Sequence, residues 1–318
     1  MRTVVIGTSA IARNHLDALK YVGANCVAIS GRNNLKNLER VALDFDIPKT
    51  FTSWEKALSD TEFDSLVVCT PPEVSFEILS YISGQDIACL VEKPALQTEM
   101  QLEKLMKLQL EHTFMAFNRR HYGTVNELKS QIAREPRGEL TIEIHEPDMA
   151  TKAARSETLI NNSIHVLDLI LYLTGSRFTD IQVQSHSTTF LGLQVCMIAN
   201  GIPVSLSIKF GIPANTSLNY ETLGSRYILK PIEQISRFNG FTIHEPTTSS
   251  SIRIYEPSWK GSESQVIKES AESLKPGFLN QATQFKNFFE QGHIAPVMTT
   301  MDDATQTLQL ALSLARLF

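Results

Sequence analysis

The first 118 residues constrain the fold most, because short apolar runs alternate there with helical patterns. Residues 3–6, 26–29, 66–69, 88–91 and 113–117 read as strands, and residues 10–19, 35–45, 74–82 and 98–110 as the helices between them. Strands this uniformly apolar, spaced by helix-length segments, make a parallel sheet with crossover helices. Open sheets of that kind take ligands beyond the carboxyl ends of their strands. The residues that follow each strand are therefore the first candidates for a site.

After about residue 118 the pattern changes. Residues 139–145, 181–186, 191–198 and 204–210 alternate with period two, which fits a sheet with one face covered and the other more open. Residues 159–173 form a strong helix pattern stopped by Thr174 and Gly175, and residues 278–290 and 302–317 close the chain as helices. Two domains are expected, 1–118 and 119–318. The polar stretch 247–251 reads as a loop.

Composition narrows the partners. A formal charge of −5 argues against nucleic acid, which is bound through clustered Lys and Arg. Cys26, Cys69, Cys89 and Cys196 form no CxxC pair and no His-linked zinc spacing, so no metal is expected. The first three sit in apolar runs and read as buried thiols of a reducing compartment, here the cytoplasm. Gly7 cuts the N-terminal apolar run too short for a secretory signal, and no stretch is long enough to span a membrane.

Four strand ends carry chemistry. Gly7, Thr8, Ser9, Ala10, Ile11 and Ala12 join the first strand to its helix. A dinucleotide fingerprint here would set the pyrophosphate on the helix N-terminus, with Ser9 at the second glycine of G-x-G-x-x-G/A and Ala12 at the third. The alternative is a plain tight turn. The second strand ends in Ser30, Gly31, Arg32 and Asn33, without the Asp or Glu that usually takes the ribose hydroxyls of NAD. Ser30 and Arg32 would suit the 2′-phosphate of NADP, which is favoured over NAD unless Arg32 only projects into solvent. Thr70, Pro71 and Pro72 end one strand, and Glu92, Lys93 and Pro94 end the next on the same edge, where Lys93 can reach a substrate oxygen.

In the second domain Asn161, His165 and Asp168 share one face of the expected helix. His165 is either a satisfied structural residue or the proton acceptor that alcohol oxidation requires. Arg119, Arg120, His121, Tyr122 and Asn162 are candidates for a polar pocket. The two arginines read equally as anion binders or as the hinge between the domains.

Taken together, these motifs resemble the glucose–fructose oxidoreductase, inositol dehydrogenase and rhizopine-catabolism family (Gfo/Idh/MocA). The likeness rests on the N-terminal turn, Thr70-Pro71-Pro72, Glu92-Lys93-Pro94, Phe117-Asn118-Arg119-Arg120, His165-Val166-Leu167-Asp168 and residues 299–304. It implies a Rossmann domain followed by an α+β domain with a large, open-faced, mostly antiparallel sheet, often used to form homodimers or homotetramers. It implies hydride transfer, with NADP or NAD, at a carbinol or carbonyl carbon of a sugar, cyclitol or related polyol. By motif, Lys93 would polarise the reacting oxygen and His165 would exchange the proton. Gly7, Ser9 and Ala12 would face the pyrophosphate, and Thr70, Pro71 and Glu92 would lie along the cofactor. Lys93, Arg119, Asn161, Asn162 and His165 would meet the substrate. The chain departs from the pattern D-x-G-x-H at Asn161 and Ser163, and Ser75 replaces a histidine often found after T-P-x-x-x. Without the carboxylate, a non-catalytic dinucleotide-binding regulator or scaffold of the same fold is the alternative expectation.

Overall fold

The computed structural model describes residues 1–32, 34–147, 152–189, 192–223, 225–233, 235–239, 242–244 and 274–318. The polar stretch 247–251 lies outside them. The chain divides into two compact units, Met1–Asn118 with Ser273–Thr305, and Arg119–Glu272 with Gln306–Phe318. The break after residue 118 is followed by a return, so residues 119–318 are not one continuous domain.

The first unit is built on β1 (Arg2–Ile6), β2 (Asn25–Ser30), β3 (Thr50–Phe51), β4 (Ser65–Val68), β5 (Ala88–Val91) and β6 (Thr113–Met115). Their spatial order is β6-β5-β4-β1-β2-β3, and every neighbouring pair is parallel. This is the doubly wound order, with its reversal of direction between β1 and β4. β4 and β5 are buried at every position, as expected of strands covered on both faces. The helices start where short polar side chains can cap them. Ser9 caps α1 (Ala10–Tyr21), Asn34 caps α2 (Leu35–Asp44) and Ser53 caps α3 (Trp54–Ser59), each accepting from a backbone N–H three residues on. α4 (Pro72–Ile82) begins on a proline, which lacks the N–H that would go unpaired there.

α5 (Glu99–Leu105) stops five residues short of the expected 98–110. Lys107 and Leu108 donate to Lys104 and Leu105, three residues back, so the helix tightens into turns while its apolar spacing continues. Two elements from late in the chain complete this unit. β15 (Thr299–Thr300) pairs antiparallel with β6, and Phe285 and Phe288 of α9 (Phe278–Gln291) pack edge-on against Phe114.

The second unit contains an eight-stranded sheet. Its strands are β7 (Glu139–Glu146), β8 (Ile181–Thr189), β9 (Gly192–Ala199), β10 (Ile202–Phe210), β11 (Asn215–Glu221), β12 (Ser225–Leu229), β13 (Ile235–Asn239) and β14 (Thr242–His244). The order is β14-β13-β12-β11-β7-β10-β9-β8, antiparallel except for β7 beside β10. Leu140, Ile142 and Ile144 of β7 share the covered face with Leu193, Val195 and Met197 of β9 and with Val204, Leu206 and Ile208 of β10. The other face is open and polar. It presents Thr141, Gln194, Ser205 and Ser207, and Glu143 sits between Lys209 and His145, which hold its carboxyl below the usual range.

The expected helix 159–173 has two parts. Leu159–Ser163 is a single π-turn, and α8 (Ile164–Thr174) follows it to a left-handed cap at Gly175. The wider turn takes Asn161 out of the regular i, i+4 spacing on which a shared face with His165 depends. α6 (Gly123–Arg134), α7 (Lys152–Thr158) and α10 (Met301–Ala315) supply the remaining helices of the described chain.

His121 illustrates the cost of this core. Burial, with the Arg120 charge adding to it, pushes its imidazole down to about 3. The folded state therefore keeps it neutral, while the unfolded chain protonates it near the ordinary value of 6.5. Between those limits the unfolded state binds the extra proton. Stability is then lost as pH falls, by up to about 1.4 kcal/mol per pH unit. His121→Asn is expected to flatten this acid slope in denaturant melts taken between about pH 7 and about pH 4.

Candidate active site

In the first unit a cavity of about 630 Å³ opens at the point where strand order reverses. Gly7, Thr8 and Ser9 line it from β1, Ser30, Gly31 and Arg32 from β2, and Cys69, Thr70 and Pro71 from β4. Gly7 has φ +115°, and a Cβ there would stand 2.2 Å from the Cys69 carbonyl oxygen. No other residue fits, which is how the two loops come so close at the reversal. Ser9 Oγ accepts from the Ala12 N–H at 3.4 Å and keeps its own proton to donate. The N–H groups of Ala10 and Ile11 are first-turn donors of α1, which offers an anion its positive dipole end. This set fits a dinucleotide's phosphates, although Ala10, Ile11 and Ala12 do not line the cavity.

Thr70 Oγ1 lies 2.8 Å from Ser75 Oγ, so the residue that departs from the motif closes this corner through a hydroxyl pair. Several lining residues were not singled out from the sequence, and one of them is a carboxylate beside Arg32. Glu55, at the start of α3, shares the cavity with Arg32. Its carboxyl is held below the usual range, first by the Ser53 hydroxyl and more weakly by the Arg32 charge. The β2 end indeed lacks a carboxylate, but the fold brings one from β3–α3. Its only sequence signal is the capped helix start at Ser53.

Beyond β5, Glu92 is buried and accepts from His15 Nε2 at 2.7 Å, while the Lys93 N–H donates to its other oxygen at 3.2 Å. His15 stands on α1, its ring edge-on to Phe278. Glu92 thus ties the phosphate-side helix to the segment that carries Lys93. Neither Glu92 nor Lys93 lines the cavity.

The second unit has a cavity of its own, about 280 Å³, lined among others by Arg119, His145, Glu146, Asn162, Ser163, Asn215, Thr216 and Glu233. Arg119 donates to Thr216 Oγ1 at 3.3 Å. Asn161 and His165 are half-buried and do not line it, whereas Asn162 is exposed to it. Arg120 is no anion binder. Its Nε and Nη2 donate to the two oxygens of fully buried Asp168 at 2.8 and 2.7 Å, and Thr307 Oγ1 adds a third bond at 3.1 Å.

Comparison with known proteins gives this geometry its context. Residues 1–117 match GFO_IDH_MocA, the oxidoreductase family with an NAD-binding Rossmann fold. They are similar to that family's dinucleotide-binding domain. Inositol 2-dehydrogenase of Corynebacterium glutamicum is 24% identical over 242 residues, 70% of this chain and 72% of the relative. UDP-N-acetylglucosamine 3-dehydrogenase of Acidithiobacillus ferrooxidans is 28% identical over 185 residues, 57% of either protein. The crystal structure of a dehydrogenase (MviM) from Clostridium difficile superposes with a TM-score of 0.77 at 17% identity, over 100% of this chain and 99% of that one. The fold of that dehydrogenase therefore extends over both units. The curated relatives are dehydrogenases, named for inositol and for UDP-N-acetylglucosamine, and the chain stands with them as an NAD(P)-dependent oxidoreductase.

Proposed function

We propose that Lys93 and His165 serve hydride transfer between NADP(H) and a carbinol or carbonyl carbon of a sugar, cyclitol or related polyol. The observation that carries this reading is the cavity at the strand reversal, with Glu92 and Lys93 ending the next strand on the same edge. The bound nicotinamide supplies hydride-accepting or hydride-donating chemistry. The Lys93 ammonium donates to the reacting oxygen and stabilises its developing negative charge. His165 takes the hydroxyl proton during oxidation and returns it during reduction. Arg119, Asn161 and Asn162 bind substrate hydroxyls. The cavity beside Arg119 and Asn162 is near the lower end of the range for ligand pockets. Turnover by the purified chain on a panel of sugars, cyclitols and polyols with either cofactor tests the proposal. Cofactor binding with no turnover across the panel would favour a non-catalytic regulator, the role Asn161 leaves open.

Ser30 and Arg32 support NADP, and Glu55 opposes it by repelling the 2′-phosphate. Arg32→Ala is expected to weaken NADP about tenfold, with little change for NAD. Glu55→Gln should strengthen NADP by roughly two- to fivefold. Calorimetric titration with both cofactors measures these changes, and NADP affinity indifferent to Arg32 defeats the preference.

The open polar sheet face supports a homodimer or homotetramer, which light scattering at micromolar concentration would detect. Four cysteines outside disulfides, two of them buried thiols pushed up by burial, support a reducing cytoplasm. Among the described residues no helix is long and apolar enough to cross a membrane.

A further inference from the structure

Glu146 ends β7 on the covered side of the sheet, in the alternation that makes Leu140, Ile142 and Ile144 inward-facing. It is only 7% exposed. A carboxylate at such a position is costly unless hydrogen bonds or nearby charge hold it. One of those bonds comes from Ser163, whose Oγ donates to Glu146 Oε1 at 2.7 Å. Ser163 is itself buried and is the last residue of the π-turn, two positions before His165. Glu146 and Ser163 both line the cavity that Arg119 and Asn162 share. The two departures of this segment are therefore connected: position 161 has lost a charge, and the hydroxyl at position 163 reaches a charge that arrives from the neighbouring strand.

We propose that Glu146 is a positioning residue for His165, supplying the negative charge that Asn161 does not. Held by Ser163, it fixes the turn before α8 and favours the protonated imidazole, so His165 can take up a proton as a carbinol is oxidised. The inference rests on the reading of His165 as the proton acceptor. Other charged groups of the described residues lie near the segment. Asp168 is bound to Arg120, Arg119 donates to Thr216, and Arg119 and Glu233 both line the cavity. Glu143, His145 and Lys209 form their own cluster on β7 and β10. Arg155 of α7 lies over Phe210, the strand neighbour of Glu146, and works against the effect.

The test is an NMR titration of the histidine ring signals in the full-length chain, with His165 assigned by comparison with His165→Asn. Glu146→Gln is expected to lower the His165 midpoint by about one pH unit. Glu146→Asp should keep most of the wild-type value. That retention by the shorter carboxylate is one that a purely structural role for Glu146 would not give. Ser163→Ala should give a smaller downward shift and serves if Glu146→Gln does not fold. A midpoint unmoved by both Glu146→Gln and Ser163→Ala overturns the proposal, as does a Glu146→Asp midpoint that falls as far as that of Glu146→Gln. The titration needs no substrate, so a chain inactive on the polyol panel would remove the functional reading while this result still stood or fell separately.

Discussion

Lys93→Ala is expected to lower turnover by about 10²- to 10⁴-fold while leaving cofactor affinity within about twofold. Lys93 follows β5 on the ligand edge but does not line the 630 Å³ cavity, so its removal takes nothing from the phosphate or ribose contacts. The loss should fall on kcat, because the ammonium acts on charge that develops only as hydride moves. Lys93→Arg keeps the charge but spreads it over a planar fork, and should recover only part of the rate. Steady-state kinetics beside fluorescence titration of NADP(H) separates the two effects. Full activity in Lys93→Ala would remove the catalytic assignment.

Asp168→Asn should act on folding and leave the pH–rate profile in place. Both Asp168 oxygens are bound to Arg120 within the second unit, and neither residue has appreciable exposure. Removing the carboxylate strands a buried guanidinium, at a cost of about 3 kcal/mol. For a unit of this size that lowers its thermal midpoint by roughly 6–12 °C. The Arg120 guanidinium also lies over the Tyr172 ring, 4.9 Å from its centroid, so the change should loosen α6 and α8 together. A moved acid limb in the rate profile with an unchanged melting curve would show that Asp168, rather than Glu146, tunes His165.

These contrasts show where the sequence was legible. The Rossmann half was readable because its signals are local: apolar runs give buried strands, and Ser9 and Thr98 announce helices by side-chain caps. Gly7 and Lys93 could be singled out because strand ends are known once the strands are. Contacts made across the chain left no such trace. Arg120 meets Asp168 at a sequence separation of 48, and Glu55 reaches the Arg32 cavity from a short helix that the apolar pattern did not reveal. The π-turn is invisible to a periodicity argument, since its apolar residues continue a helical pattern through a wider turn. Glu146 did leave a signal. It occupies an inward position at the end of an alternating strand, one residue beyond where the expected strand stopped.

The return of Ser273–Thr305 to the first unit has a consequence for how the protein is made. β6 ends at Met115, and its antiparallel partner begins at Thr299. At ribosomal speeds of about 5–20 residues per second, roughly 10–40 s pass between their synthesis. Throughout that interval the edge of β6 has no partner, and Phe114 lacks the two phenylalanines of α9. A nascent chain in that condition is a natural client for a chaperone. A fragment ending at residue 118 would stay in that condition permanently, so soluble expression of the dinucleotide-binding half alone would require the late segment to be grafted back.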